Sequence, residues 1–421
     1  MKKGIACFLL MGVLLGTLGG CKTGDSGLTV LDANGAPVEN AAYVQIVQQQ
    51  VEMLTGGQLT EGTVYTPYQP QLAKALKNAC DLKLNQVAAG CAVTDLEGRL
   101  LAVYSTDESV NYALQADSPY SAFKPLSVYA QALENGKINW SSHYEDSPYK
   151  QLADDSGQMR DWPANHTNTY TRQETSVYEA IRKSVNTVAV KCLADVGVSE
   201  SIAFLQKKLN IRLSAEEYAI RVYGEEDVLG NIALGYLTEG VTPVDMAGYY
   251  QMFANGGKYT PPVAVMKLCD GVGETVYEWE SKPQQVISAT TAGIMNKLLQ
   301  GVVTGGGTGE MAAVKGVQVA GKTGTGDANS GNWFVGITPG YSIAFWHGSN
   351  ESNIAPELFG YAVESIYQGL PGVNTNFVTY ANLQELVCCA ESGMAVSGKC
   401  TRIEKGYFAA GDIPETCDSH E

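Results

Sequence analysis

Gly316-Val317-Gln318-Val319-Ala320-Gly321-Lys322-Thr323-Gly324-Thr325 admits two incompatible folds. Its first eight residues satisfy G-x-x-x-x-G-K-[ST], the pattern of a phosphate-cradling loop. Such a loop needs a strand before it and a helix N-terminus after it, because the unpaired backbone N–H groups of the helix hold the anion. Here the residues between the glycines, Val317-Gln318-Val319-Ala320, themselves read as strand. Gly324 to Gly331 is a turn, and Trp333 to Thr338 reads as another strand, so no helix start is available for phosphate. The segment is instead a strand edge carrying a lysine, two hydroxyls and a glycine that keeps the edge open. An edge of this kind can receive an extended peptide and hold its terminal carboxylate.

On either side the pattern builds one sheet. The strand over Gly316 to Lys322 is followed by Trp333 to Thr338 and Ser342 to His347, with turn residues between them. Upstream, Val87 to Thr94 and Leu100 to Tyr104 are apolar, partly β-branched runs separated by Asp95-Leu96-Glu97-Gly98, a hairpin signal. Ser121 to about Gly305 reads as mostly helical, including Glu179 to Val196. The clearest helix starts at Thr242-Pro243-Val244-Asp245, with a capping hydroxyl, an early proline and an acid three residues after the cap, and stops near Gly256-Gly257. Tyr43 to Leu54 and Gln71 to Asn78 have the helical spacing of lead-in elements. A hairpin before a helical block and strands after it imply an α/β (α+β) domain with a central antiparallel sheet and a large helical subdomain. The expected organisation is a tether and lead-in helix over 21–60, the main domain over 61–385 and a cysteine-containing tail over 386–421.

Two further motifs carry chemistry. Ser121-Ala122-Phe123-Lys124 is an S-x-x-K, and at a helix start that spacing puts both side chains on one face. Lys124 can then deprotonate Ser121, a weak nucleophile without a neighbouring base, while the helix N-terminus adds positive field where the alkoxide develops. Pro125 suits a first helical turn. Ser184-Val185-Asn186 offers a hydroxyl and an amide that could relay a proton and hold a peptide amide. Each motif alone also fits an ordinary helix start or helix face, since a four-residue pattern fixing two common types occurs about once by chance in such a chain. Their order and context carry the inference.

Composition bounds the rest. With 421 residues, 45% apolar and 17% charged, the chain can bury a large core. A net charge of −16 excludes nucleic acid as a natural partner. Residues 1–20 read as a signal peptide: Lys2 and Lys3, an apolar run from Gly4 to Leu18, then Leu18-Gly19-Gly20-Cys21. The lipobox-like end and the polar stretch Lys22 to Gly27 imply a bacterial lipoprotein with the lipid on Cys21, held at the outer face of the cytoplasmic membrane. The alternative is an uncleaved anchor, because Gly4 to Gly20 sits at the short edge of a membrane span. Either places the bulk of the chain outside the cytoplasm.

Of the ten cysteines, Cys7 and Cys21 belong to the leader and anchor, leaving Cys80, Cys91, Cys192, Cys269, Cys388, Cys389, Cys400 and Cys417. None forms a C-x-x-C, and the four histidines, His143, His166, His347 and His420, include no pair at helical ligand spacing, which argues against a metal site. No cofactor is expected. The cysteines of the tail fit disulfides formed in an oxidising compartment, with at least one pair among Cys389, Cys400 and Cys417. Unpaired thiols are the alternative.

The trio S-x-x-K, S-x-N and K-T-G, with its context, resembles the transpeptidase domain of class A penicillin-binding proteins, of the serine D,D-transpeptidase and β-lactamase-like superfamily. Supporting segments include Asn111-Tyr112-Ala113, Asp146-Ser147-Pro148, Pro163-Ala164-Asn165, Ala233-Leu234-Gly235, Gly240-Val241-Thr242-Pro243, Phe253-Ala254-Asn255-Gly256-Gly257 and Trp333-Phe334-Val335-Gly336. The tail is similar to the cysteine-containing ends of some members, and the likeness runs from about Tyr43 to Cys417. It implies a β-lactamase/transpeptidase-like fold, Ser121 as acylated nucleophile, Lys124 as base, Ser184 as proton relay and Asn186 as a substrate-amide contact. It also implies Lys322, Thr323, Gly324 and Thr325 as the substrate-binding edge, and an oxyanion hole formed by the backbone N–H groups of Ser121 and Thr325. The implied substrates are D-Ala-D-Ala ends of peptidoglycan stem peptides, with β-lactam antibiotics as mimics. The bifunctional members carry a glycosyltransferase domain first and only a short stretch separates Cys21 from the lead-in, so a separate glycan polymerase is the expected partner. Tyr120 stands where a glycine usually precedes the nucleophile. Water in place of a stem-peptide amine would make the enzyme a D,D-carboxypeptidase. Glu226-Asp227-Val228-Leu229-Gly230-Asn231 breaks the E-x-x-L-N spacing of class A β-lactamases by one residue. A non-catalytic β-lactam-binding or wall-binding protein would not need all three motifs intact.

Overall fold

The computed structural model describes residues 27–84, 87–153, 156–214, 225–326, 331–348, 352–370, 372–418 and 420, without the side chains of 225–227. The expected leader and Cys21 lie outside the described residues. The described residues open with β1 (Gly27–Leu31), α1 (Ala41–Thr55), β2 (Glu61–Tyr65) and α2 (Pro70–Lys83), then the hairpin β3 (Ala89–Asp95) and β4 (Leu100–Ser105). A 3-10 turn over Tyr120–Phe123 continues through a wide turn, Pro125–Tyr129, into α3 (Ala130–Glu134). Next come β5 (His143–Glu145), β6 (Lys150–Ala153), β7 (Met159–Trp162) and β8 (Glu174–Ser176). Among the described residues the helical block comprises α4 (Val177–Lys183), α5 (Asn186–Val196), α6 (Val198–Leu209), α7 (Glu225–Leu234) and α8 (Pro243–Tyr250). Then follow β9 (Lys258–Tyr259), β10 (Lys267–Asp270), β11 (Thr275–Glu278), β12 (Gln284–Gln285) and α9 (Ala289–Val302). The last elements are β13 (Ala320–Thr325), β14 (Asn332–Ile337), β15 (Tyr341–His347), α10 (Ala355–Gly369), β16 (Leu383–Cys389) and β17 (Ile403–Ala409).

The principal sheet has the order β13-β14-β15-β3-β4 and is antiparallel throughout, so both ends of the domain meet in it, as the sequence implies. Every residue of β14 and β15 is buried, because helices cover both faces. On one face Phe334 meets Phe359 of α10 at 4.9 Å between ring centroids. On the other Thr94 Oγ1 donates to Ala247 O of α8 at 3.2 Å. The sheet ends at β13, whose outer edge is paired by no strand among the described residues. A second sheet, β1-β2-β10-β11, pairs β1 with β2 in parallel across the boundary drawn at residues 60 and 61.

Three expectations are corrected. The Thr242 helix starts as read, with a reciprocal capping box to Asp245, but it gives way at Gln251 to a 3-10 turn. The expected strand over Gly316 to Lys322 starts only at Ala320 and runs on to Thr325, since Val317 bridges back to Val314 and Gln318 N donates to Thr375 O. The block between Ser121 and Gly305 contains short ladders as well as helices, and the helix expected over Glu179 to Val196 is broken at Ser184, which takes a left-handed backbone with φ 61° and ψ 38°.

Candidate active site

The strand edge of β13 lies against the turn that carries Ser121. A Cβ placed on Gly324 would come within 2.3 Å of Pro119 O, so only a residue without a side chain allows this approach. Ser121 is half-buried on that 3-10 turn, and Lys124 N donates to Ser121 O. Pro125 lacks an N–H to donate and opens a wide turn in which Ala130 N donates to Pro125 O. Tyr120 takes a φ of 48°, a region that disfavours side chains bearing a Cβ. Tyr120 thus holds a left-handed backbone that glycine would adopt without that cost. Tyr120 N donates to Gly235 O at 3.0 Å, and its ring meets Tyr236 edge-on at 5.3 Å.

Two fully buried lysines meet at Ser184. Lys124 Nζ donates to Ser184 O at 3.0 Å, to Asn186 Oδ1 at 2.6 Å and, more weakly, to Ser184 Oγ at 3.4 Å. Lys322 Nζ donates to Ser184 Oγ at 2.9 Å and to Thr323 O at 3.1 Å. Burial pushes the Lys124 ammonium well below its ordinary range, and the charge of Lys322 pushes the same way. Burial alone brings Lys322 down to about 7. Two ammonium groups out of water and bridged only by neutral oxygens favour loss of a proton, which leaves an amine able to act as base. Lys124, Ser184, Asn186, Lys322 and Thr323 therefore form one network. Among the described residues the Ser121 hydroxyl makes no hydrogen bond to this network.

Asn186 is positioned from behind. Its backbone N donates to Asn165 Oδ1 at 3.0 Å and its Nδ2 to Ala164 O at 2.7 Å. Asn165 Nδ2 and Thr187 Oγ1 donate to Asp146 Oδ1 at 2.8 and 2.7 Å, and Thr171 N donates to Oδ2 at 2.9 Å. Burial pushes the Asp146 carboxyl up, but these donors outweigh it and hold the group below its usual range. The resembling segments around Asp146 and Asn165 thus converge behind the S-x-N motif.

Other positioning residues have no sequence motif. Asp117 Oδ2 accepts from Trp346 Nε1 at 2.8 Å and from Gly331 N at 3.1 Å, and Trp333 Nε1 donates to Ser118 O at 2.9 Å, tying the segment before Ser121 to β14 and β15. Asn353 Nδ2 donates to Gly324 O at 2.9 Å and lies 3.3 Å from the exposed Thr325 hydroxyl. Thr323 Oγ1 is 2.8 Å from Thr308 Oγ1. A cavity of about 970 Å³ between α1, α2 and the segment after β4 includes none of these groups.

Residues 90–352 match the penicillin binding protein transpeptidase domain. Penicillin-binding protein 1A of Clostridium botulinum (strain Langeland) is 31% identical over 281 residues, a match covering 64% of this chain and 32% of the relative. The chain thus spans about a third of that relative's length. The D,D-transpeptidase domain of a peptidoglycan glycosyltransferase from Eggerthella lenta superposes with a TM-score of 0.64 at 20% identity, covering 81% of this chain and 98% of the other. PonA1 from Mycobacterium tuberculosis in complex with penicillin V gives a TM-score of 0.65 at 20% identity, covering 80% and 95%. These likenesses support a β-lactamase/transpeptidase-like fold for this chain, with the sheet β13-β14-β15-β3-β4 at its centre. With the family pattern matched across more than half of its length, the chain belongs to the penicillin-binding protein transpeptidase family.

Proposed function

We propose that this chain is a serine D,D-transpeptidase that cross-links peptidoglycan stem peptides through an acyl-enzyme on Ser121. The observation that carries the proposal is the Ser184 hydroxyl held between two buried lysines, beside the Ser121 turn and the open edge of β13. An extended D-Ala-D-Ala end adds along β13, its carboxylate meeting the Lys322 ammonium and the hydroxyls of Thr323 and Thr325. Asn186 receives the substrate's peptide amide. Ser121 Oγ attacks the carbonyl carbon of the penultimate residue while neutral Lys124 takes the hydroxyl proton. Charge developing on the carbonyl oxygen is met by the backbone N–H groups of Ser121 and Thr325. The C–N bond then breaks, and a proton passes through Ser184 to the departing amine of D-Ala. A stem-peptide amine attacks the ester, forms the cross-link and returns the proton to Ser121. The domain works outside the cytoplasm, tethered by lipid on Cys21, on strands made by a separate glycan polymerase.

Intact-mass spectrometry after exposure to penicillin tests this. One adduct per chain, mapped to Ser121 and absent in Ser121→Ala, is expected; an adduct on another serine overturns the assignment. With a stem-peptide donor and acceptor, cross-linked product is expected, and release of D-Ala without cross-linking would make the enzyme a carboxypeptidase. An intact Met1 in protein isolated from native membranes would overturn the lipid anchor.

A further inference from the structure

Cys389, Cys400, Cys417 and His420 converge in the tail, their ligand atoms all within 4.8 Å of one another. We infer that these four side chains bind a structural zinc ion. Cys389 ends β16 and opens a tight turn in which Gly393 N donates to Cys389 O at 2.8 Å, with Gly393 at φ 69°. Cys400 follows a second turn, its N donating to Ser397 O at 3.2 Å. Cys417 N donates to Ala395 O at 2.8 Å, which brings the chain end beside both turns. No pair of these cysteines is joined in the structure, so the expected disulfide is replaced by a quartet.

The chemistry of the set selects the ion. Three thiols and an imidazole make the Cys3His donor set of structural zinc sites, closed because the protein fills all four positions. Tetrahedral zinc with Zn–S bonds of about 2.3 Å places its donors about 3.8 Å apart, so only small side-chain rotations are needed. A second, independent feature points the same way. His420 Nε2 faces Cys389 Sγ at 3.0 Å, while its Nδ1 faces Glu391 Oε2 at 3.8 Å. A carboxylate behind the imidazole is the arrangement that orients a metal-bound histidine. The sulfurs are also met by donors: Ser392 Oγ lies 3.1 Å from Cys417 Sγ, and Ser397 N lies 3.3 Å from Cys400 Sγ. A disulfide would consume two of the thiols and leave the third and the imidazole without a role. Binding releases one proton from each thiol, and each thiolate gives an electron pair to the ion.

The site has a structural task. The β16–β17 ribbon is two-stranded, and such a ribbon holds poorly on its own. It leans on the core through Tyr407, 5.2 Å from Trp140, which stacks on Tyr178 of α4 at 5.0 Å. Zinc ties both turns of the ribbon to the chain end. The sequence argument against metal fails because the donors are gathered by strand pairing and not by local spacing; Cys417-Asp418-Ser419-His420 is the one C-x-x-H that signals it.

The test uses the full chain, purified under reducing conditions from zinc-containing medium. Elemental mass spectrometry should find about one zinc per chain. Cobalt exchange should give a thiolate-to-cobalt charge-transfer band, and chelation should lower the melting temperature. Cys400→Ser and His420→Ala should each bind zinc at least about tenfold more weakly yet still acylate Ser121 with penicillin, whereas Cys269→Ser should retain the metal. Zinc below about a tenth of an ion per chain with these thiols free, or a disulfide between any two of them in non-reduced membrane-derived protein, would overturn the proposal. If the variants fail to fold, the wild-type stoichiometry and cobalt spectrum decide by themselves.

Discussion

Lys322 Nζ and Ser184 Oγ lie 2.9 Å apart, and the same oxygen is 3.4 Å from Lys124 Nζ. A hydroxyl has two lone pairs and one proton, so Ser184 can accept from a charged Lys322 while offering its proton to a neutral Lys124. Ser184→Ala removes that path but leaves Lys124 bonded to the Ser184 carbonyl and to Asn186 Oδ1. Penicillin acylation should slow by about 10²–10⁴-fold, the usual worth of a positioned proton-transfer group, with a small change in melting temperature. An unchanged labelling rate would remove Ser184 from the proton path.

The two lysines make stability depend on pH. Unfolded, Lys322 binds its proton up to about 10.5; folded, burial lowers that point to about 7. Between those values the unfolded state holds more protons, so the buried lysine costs less stability as pH rises, and below about 7 its cost is constant. Lys322→Met removes the penalty together with the carboxylate contact. The variant should melt above the wild type near pH 7, the gap should narrow towards pH 10, and penicillin capture should be lost. Equal melting differences at every pH would contradict this.

Tyr120 separates backbone strain from ring packing. Its φ of 48° disfavours any residue with a Cβ, while the residue is only 7% exposed and its ring packs against Tyr236. Tyr120→Ala loses the ring and keeps the strain; Tyr120→Gly loses both. The glycine variant should be more stable than the alanine variant by about 1 kcal/mol in chemical denaturation, with acylation closer to wild type. The reverse order would mean that the turn relaxes away from φ 48° when the ring is gone.

Local chemistry was legible from sequence, and geometry that depends on distant partners was not. The Thr242–Asp245 capping box involves residues three apart and appears in the structure as read. The S-x-x-K and K-T-G residues meet where the strand order requires, but the strand start at Ala320 depends on Gln318 pairing with Thr375, far along the chain. Apolar periodicity runs unbroken through Glu179 to Val196 and cannot reveal the left-handed backbone of Ser184, since periodicity reports the buried face and not the turn between two helices. The Asp117–Trp346 bond spans 229 residues and has no local signature.

Gly324 tests the mechanical link between the substrate edge and the nucleophile. A Cβ there would lie 2.3 Å from Pro119 O and 3.1 Å from both Ala122 Cβ and Trp333 Cβ. Pro119 O belongs to the backbone of the turn that presents Ser121, so no side-chain rotation relieves the clash; β13 or the turn must move. Asn353, which donates to both Gly324 O and Trp333 O, resists movement of the strand. Gly324→Ala should therefore cost about 1–3 kcal/mol through overpacking and slow penicillin acylation by about 10²-fold, as expected when reacting groups are displaced by about 1 Å. Gly316 is the comparison: it has φ 81° and open space around its Cβ position, so Gly316→Ala carries strain but no clash. That variant should lose about 1 kcal/mol of stability and acylate at the wild-type rate. If Gly324→Ala also acylates normally while losing stability, the approach of β13 to Pro119 serves packing alone and does not set the geometry at Ser121.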